Sequence, residues 1–320
     1  MQTKRLGRTG IQVSELCFGT MSFGGDADEA ESARMYAACR DAGVDFFDCA
    51  NVYSAGRAEE ILGRLMAHER DELVITSKTG SAFGSGPRGR GGSRYQVVRS
   101  VEASLRRLGT DRIDVLFMHR FDDDTPLEET LHALEHLVAA GKVLALGCSN
   151  YAAWQVMKAV GISARQGWTG FSVIQPMYNL VKRQAEVELL PLAASEDLAV
   201  IPYNPLGAGL LTGKYMAAGA QGRLALDASY AKRYGPEWMG ESAARFVEWA
   251  RGRGLDPVTV AVAWVAAHPA VTCPILGARN AEQLGASLAA AGFAMSPEMR
   301  AEIAALSPAP APATDRLDDL

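Results

Sequence analysis

An α/β fold is predicted by three observations. Short apolar runs of strand length alternate with helical stretches along nearly all of the 320 residues. Eight such runs can be counted, and little else stands between them and the helices. Three consecutive runs end in titratable residues, Asp48, Lys78 and His119, which an eight-stranded parallel barrel would gather at one end although they lie far apart in the chain. The architecture that satisfies all three is a (β/α)8 TIM barrel with an N-terminal β-hairpin, and α/β barrels routinely use this many residues as one domain.

Composition narrows the function classes. At 48% hydrophobic and 22% charged, the chain reads as an ordinary globular protein with material for a large core. A net charge of -5 supplies no basic field for nucleic acid or an acidic membrane surface, so any anionic ligand must be held by local cations. The cysteines, Cys17, Cys39, Cys49, Cys148 and Cys273, are odd in number, scattered, and free of any Cys-x-x-Cys pair; they read as reduced apolar residues, not as a disulfide frame or zinc site. Met1-Gln2-Thr3-Lys4 opens without a signal peptide, and no run approaches the ~18 apolar residues of a membrane span. A cytoplasmic protein without a metal is expected.

In chain order, residues 3–13 carry Gly7-Arg8-Thr9-Gly10 between two alternating pieces, a small hairpin. Residues 16–20 form the first apolar strand and residues 28–42 a helix. Gly43 ends that helix, and Val44, Phe46 and Phe47 lead to Asp48 at the end of the second strand. An acid directly after two phenylalanines is costly to bury unpaired, so a cation or hydrogen-bond donor is expected beside it. Tyr53 follows on the loop. A helix over residues 58–69 leads to the third strand, residues 73–78, ending in Lys78; a helix over residues 94–108 leads to the fourth, ending in His119.

Two motifs carry little. The glycine-rich residues 84–93 contain no Gly-Lys-Ser/Thr and open no helix directly after a strand, so they read as a flexible loop, not a phosphate cradle. His132-Ala133-Leu134-Glu135-His136 spells a zinc-peptidase pattern, but Leu127, Leu131, Leu134 and Val138 supply the core-facing stripe of that helix and leave both histidines toward solvent. The same helix is expected to start in a capping box at Thr125, with Pro126 at its first position. Strands five to eight are residues 143–148, 171–175, 199–203 and 271–277, and residues 1–306 are expected to form the single barrel domain, followed by a disordered tail over residues 307–320.

The set Asp48, Tyr53, Lys78 and His119 resembles the catalytic tetrad of the aldo-keto reductases. Gly43-Val44-Asp45-Phe46-Phe47-Asp48, Val101 to Asp111 and Gly147-Cys148-Ser149-Asn150 are similar to blocks of that family, and the resemblance spans residues 3–290. It implies an NADPH-dependent oxidoreductase that reduces aldehydes or ketones. Tyr53 would be the general acid, with Lys78 drawing its pKa down; an ammonium about 4 Å away contributes at most ~4 kcal/mol to the phenolate. Asp48 would keep Lys78 charged, and His119 would position the carbonyl oxygen.

The cofactor contacts are likewise implied by the resemblance. Ser149, Asn150 and Gln175 would hold the nicotinamide carboxamide, whose donors and acceptor suit neutral polar groups, and Tyr203 would stack on the ring. Residues 204–215 are similar to the family's pyrophosphate loop, contributing Asn204, Pro205, Leu206, Gly207, Gly209, Leu210 and Lys214; Asn204 replaces the usual Ser. Arg279 and the following helix would take the adenosine phosphate, favouring NADPH over NADH. Gln283 matches an adenine contact, and Ser287 stands where Asn is common. Gly19, Thr20, Met21, Ile275 and Gly277 complete the set at the ends of strands one and eight.

Two other readings stay open: a non-catalytic NADPH-binding barrel like the family's potassium-channel β subunits, and a Schiff-base aldolase using Lys78. The partner expected is a small carbonyl substrate, with no nucleic acid, membrane or specific protein partner. Met21, Phe23, Val52, Phe83, Arg120, Phe121 and residues 215–238 are the expected substrate lining, mainly apolar and aromatic.

Overall fold

A computed structural model describes residues 1–83, 86, 89–216 and 222–314. The first two strands, β1 (Thr3–Arg5) and β2 (Gln12–Ser14), pair antiparallel as the expected hairpin. Eight parallel strands follow: β3 (Cys17–Gly19), β4 (Phe46–Asp48), β5 (Val74–Thr79), β6 (Ile113–Met118), β7 (Val143–Ser149), β8 (Phe171–Gln175), β9 (Ala199–Val200) and β10 (Ile275–Leu276). Their order is β10-β3-β4-β5-β6-β7-β8-β9, and a parallel bridge between Tyr203 and Ile275 joins the two edges. There the Ile275 N–H donates to the Pro202 carbonyl at 2.9 Å, which closes the (β/α)8 barrel. The last two strands are much shorter than residues 199–203 and 271–277. Pro202 and Pro274 interrupt them, since proline cannot donate to a ladder.

Alternation of side chains across each strand decides what reaches the interior. Cys17, Phe46, Val115, Phe117, Ala145, Val173, Ala199, Ile201, Cys273 and Ile275 form one buried cluster inside the barrel, joined from the hairpin by Leu6 and Val13. The hairpin therefore closes the amino-terminal end. Gly7 is required there: a Cβ would stand 2.7 Å from the Ala199 nitrogen at the start of β9. Gly147 is required in the interior, where a Cβ would meet the Phe117 ring at 2.4 Å. Continuing each inward row by two residues leads to Asp48, His119, Ser149, Gln175, Tyr203 and Gly277, so the carboxyl-terminal rim takes its polar residues from the same faces that fill the core.

A second, larger cluster lies between the strands and the surrounding helices. These include α1 (Glu29–Asp41), α2 (Arg57–Leu65), α3 (Arg94–Leu108), α4 (Leu127–Ala139), α5 (Ala153–Gln166), α6 (Leu189–Ser195), α7 (Arg223–Leu226), α8 (Ala228–Arg233), α9 (Glu237–Arg251), α10 (Pro257–Ala266), α11 (Ala281–Leu288) and α12 (Pro297–Ala304). Side chains of Asp28, Ser93 and Asp256 cap α1, α3 and α10. The box expected at Thr125 does not form: Pro126 is itself the cap residue of α4, and it has no side chain that could accept from the first helical amides. In α4 the buried row is Leu127, Leu131, Leu134 and Leu137, whereas Val138 is half-buried. His132 and His136 are exposed, and the His132 ring lies flat on Trp168.

The five cysteines are free and buried. No helix among the described residues is long and apolar enough to cross a membrane. Residues 308–314 run without helix or strand, although Ser307 is buried; residues 315–320 of the expected tail, and Gly84, Ser85, Pro87 and Arg88 of the glycine-rich loop, lie outside the described residues.

Candidate active site

Four charged or polar side chains converge at the carboxyl-terminal rim. Asp48 and Lys78 face inward on neighbouring strands, and both are almost fully buried. The Lys78 ammonium donates to Asp48 Oδ2 at 2.5 Å, to the Cys49 carbonyl at 2.8 Å and to the Tyr53 hydroxyl oxygen at 3.0 Å. An ammonium has three N–H donors, and all three are engaged. The other carboxylate oxygen, Asp48 Oδ1, accepts from Thr76 at 2.7 Å and from Gln175 Nε2 at 2.8 Å. Thr76 was missed in the sequence, although it lies two residues before Lys78 on the same inward row.

Burial works against the Lys78 charge, yet the Asp48 carboxylate and the Tyr53 hydroxyl hold it above the ordinary lysine range. For Tyr53 the outcome differs from the expected lowering. Burial, with Asp48 adding to it, outweighs the pull of Lys78 and pushes the phenol up to about 12. Tyr53 is thus a protonated phenol at neutral pH. Since its oxygen accepts from Lys78, its own proton is free to point elsewhere.

The Tyr53 turn is strained and braced. Ser54 and Ala55 have φ of 49° and 56°, conformations that cost energy outside glycine. Gly56 has φ of 94°, and a Cβ there would meet the Arg107 side chain at 3.0 Å. Arg107 donates to buried Glu59 at 2.7 Å, and Glu59 accepts from Ser77, the neighbour of Lys78, at 2.5 Å. Glu59 therefore ties the helix after Tyr53 to the strand that carries Lys78 through the Ser77 hydroxyl, and to α3 through its ion pair with Arg107.

His119 stands just past β6, its ring edge-on to Tyr53 with centroids 6.1 Å apart. Burial first, then the Lys78 charge, lowers its pKa to about 4. It is neutral at pH 7. Its Nδ1 is buried without a partner among the described residues; a bare N–H costs more than a bare lone pair, which assigns the proton to Nε2.

A polar chain continues from Asp48 around the rim. Ser149 donates to the Gln175 carbonyl at 2.9 Å, Asn150 Nδ2 to Ser149 at 3.0 Å and to the His119 carbonyl at 2.9 Å, and the Tyr203 hydroxyl to Asn150 Oδ1 at 2.8 Å. These groups line a cavity of about 930 Å³ that runs from His119 and Tyr53 to Arg279, Gln283 and Ser287. Gly19, Met21, Asn204, Pro205, Leu206, Gly209, Lys214, Ile275 and Gly277 also lie on its wall. Buried Lys78, Thr20 and Gly207 do not line it, nor does half-buried Leu210. Thr20 is buried with its hydroxyl on the Asp48 carbonyl. The Asn204 side chain braces its own loop, bonding the Ala208 N–H at 2.7 Å and the Tyr234 hydroxyl at 2.6 Å.

At the far end Arg279 pairs with Asp26 at 3.3 Å, and Arg223 approaches the same carboxylate at 3.9 Å. The first amides of α11 are partly taken: Ala281 N–H donates to Glu31 at 2.7 Å and Gln283 N–H to Asn280 at 2.9 Å. Among the expected substrate-lining residues, Met21, Arg120 and Phe121 reach the cavity. Phe23 is buried in the core, Phe83 packs under the Arg107 guanidinium, and Val52 lies off the wall. Residues 217–221 lie outside the described residues, but Arg223, Tyr230 and Arg233 from the same segment do line the cavity.

The sequence model of the Aldo/keto reductase family matches residues 15–308. The chain is 36% identical over 321 positions to the uncharacterized oxidoreductase YrpG of Bacillus subtilis, covering 97% of each. It is 37% identical over 297 positions to a probable voltage-gated potassium channel subunit beta of Oryza sativa, covering 89% of each. Over 297 positions it is 34% identical to the L-glyceraldehyde 3-phosphate reductase of Escherichia coli, covering 89% of this chain and 86% of the relative.

Proposed function

The chain belongs to the aldo/keto reductase family, and from that membership we propose that it reduces aldehydes or ketones to alcohols with NADPH. The observation that carries this reading is the placement of Lys78, whose ammonium joins the Asp48 carboxylate to the Tyr53 oxygen and leaves the Tyr53 proton free to be given to a group in the cavity that the residue lines. Tyr53 is the general acid that protonates the carbonyl oxygen. The nearby ammonium offsets charge on the phenolate as the proton leaves, an effect that grows when that charge is buried. Asp48 keeps Lys78 protonated and in place. Neutral His119 donates from Nε2 to the carbonyl oxygen and orients it.

The cavity fits the cofactor by the chemistry of its donors. Ser149, Asn150 and Gln175 would hold a carboxamide, Tyr203 the ring beside it, Lys214 the pyrophosphate, and Arg279 a terminal phosphate, with Gln283 and Ser287 at the adenine. When bound, NADPH supplies the hydride. Residues 1–306 are read as the NADPH-binding barrel, and the five free buried cysteines agree with a cytoplasmic setting.

The test is an NADPH-oxidation screen over aldehydes, ketones and sugars with identification of the alcohol. A second reading, a regulatory NADPH-binding barrel, is favoured by the potassium-channel-subunit relatives. Tight NADPH binding with negligible turnover across the panel would select it. The aldolase reading loses its support, because a buried, fully hydrogen-bonded ammonium is a poor Schiff-base nucleophile.

A further inference from the structure

The cavity has hydrogen-bonding capacity that the roles above leave unused. The roles above give the cofactor Ser149 and Asn150 at the end of β7 and the β8 to β10 side, and leave the loops after β5 and β6 and the start of α5 without a task. Strands β5, β6 and β7 are consecutive in the sheet, so their loops adjoin. Each contributes a donor to the cavity wall: Ser81 after β5, Arg120 after β6 and Gln155 in the first turn of α5, which follows β7. The Gln155 Oε1 is taken by the Ala152 N–H at 2.8 Å, which leaves its Nε2 donors available. Arg120 makes no ion pair among the described residues. Asp123 lines the same end but lies beyond pairing distance of Arg120, and Asp122 is occupied by the Gly92 and Asp124 N–H groups.

A lining with an unpaired guanidinium and two neutral donors is unsuited to the mainly apolar substrate that the aromatic residues suggested. We propose that the carbonyl substrate carries an anionic group, a phosphate or carboxylate, which Arg120 binds with Ser81 and Gln155 beside it. Phe121, tilted against Trp154 and edge-on to Tyr151, lines the cavity beside Arg120 in the chain. Arg120 directly follows His119 in the chain and both line the cavity, so the anion site and the carbonyl site are close neighbours. This inference rests on the carbonyl-reductase reading.

Matched pairs test it with the intact protein: glyceraldehyde 3-phosphate against glyceraldehyde, and succinic semialdehyde against butanal. The readout is the ratio of kcat/KM within each pair, which cancels any loss of folded protein in a variant. The anionic member of at least one pair should be favoured. Arg120→Gln should reduce that preference about 10- to 100-fold, chiefly through KM, as expected for a lost charge-assisted contact. Arg120→Lys should retain part of it, and the pair that responds distinguishes phosphate from carboxylate. Equal use of charged and neutral members by the unaltered protein, or a preference unchanged in Arg120→Gln, would overturn the anion site. Turnover of neutral carbonyls alone across the broader screen would overturn the anion site and leave the reductase reading standing, whereas no turnover anywhere in that screen would overturn the reductase reading and this inference with it.

Discussion

Replacing Asp48 with Asn keeps the size and removes the charge that faces Lys78. In the native site both carboxylate oxygens accept: Oδ2 from Lys78, and Oδ1 from Thr76 and Gln175. An amide has one accepting oxygen. If it faces Lys78, its NH₂ meets the Gln175 donor; if it faces Gln175, its NH₂ meets the ammonium. The pair is nearly sealed from solvent, with side-chain exposures of 0% and 3%. Breaking such a pair from one side costs ~3–5 kcal/mol. For a chain of 320 residues with an unfolding entropy of ~2.1 cal/mol/K per residue, Tm should fall by about 4–8 °C.

Lys78→Met should cost a similar amount, since it strands the carboxylate. The double variant removes both charges and should recover ~2–3 kcal/mol relative to the sum. Denaturant unfolding at pH 7 is the assay. Lys78 is held above its unfolded pKa of ~10.4, so its contribution is fully present at pH 7 and is lost only as pH rises through the elevated folded value. Additivity within ~0.5 kcal/mol would show that the two residues act independently and that Asp48 is a strand cap.

Tyr53→Phe should lower turnover at least ~10²-fold while NADPH binding, followed by fluorescence titration, stays nearly intact. Full turnover on a demanding ketone would remove Tyr53 from its role. Arg279→Ala should weaken NADPH about 10-fold and leave NADH little changed; the lower end of the charged-contact range applies because the phosphate must displace Asp26. Equal losses for both cofactors would mean that Arg279 touches something else. His119 is depressed to about 4 against ~6.5 unfolded, so its effect on stability is confined to that window, with stability falling as pH drops through it. A His119 NMR titration with a midpoint near 6.5 would contradict its buried, neutral state.

Much of this was legible because strand periodicity is rigid. Once Phe46 faces inward, Asp48 must as well, and the same two-residue step delivers Gln175 from Val173 and Ser149 from Gly147. Loops obey no such rule. From the sequence Phe23 is expected on the lining, but its N–H bonds the Thr20 carbonyl in a turn that folds the ring back into the core. Phe83 was drawn onto Arg107, a contact set by a helix far away in sequence. The Tyr53 pKa departs from expectation for a similar reason: the lowering pull of Lys78 can be read from the sequence and is present, whereas the burial that outweighs it is a property of the assembled rim. Arg120 is a lining candidate from the sequence alone, but that no carboxylate among the described residues pairs with it depends on where the loop puts Asp122 and Asp123.

The most direct test of the central claim follows the hydrogen itself. With NADPH deuterated at the nicotinamide C4, a carbonyl substrate identified by the screen should yield an alcohol carrying deuterium on the former carbonyl carbon. Unlabelled NADPH in deuterated water should leave that carbon unlabelled, and Tyr53→Phe should slow product formation in both experiments. Deuterium entering that carbon from water, or product formed at full rate by Tyr53→Phe, would contradict hydride transfer with Tyr53 as the acid.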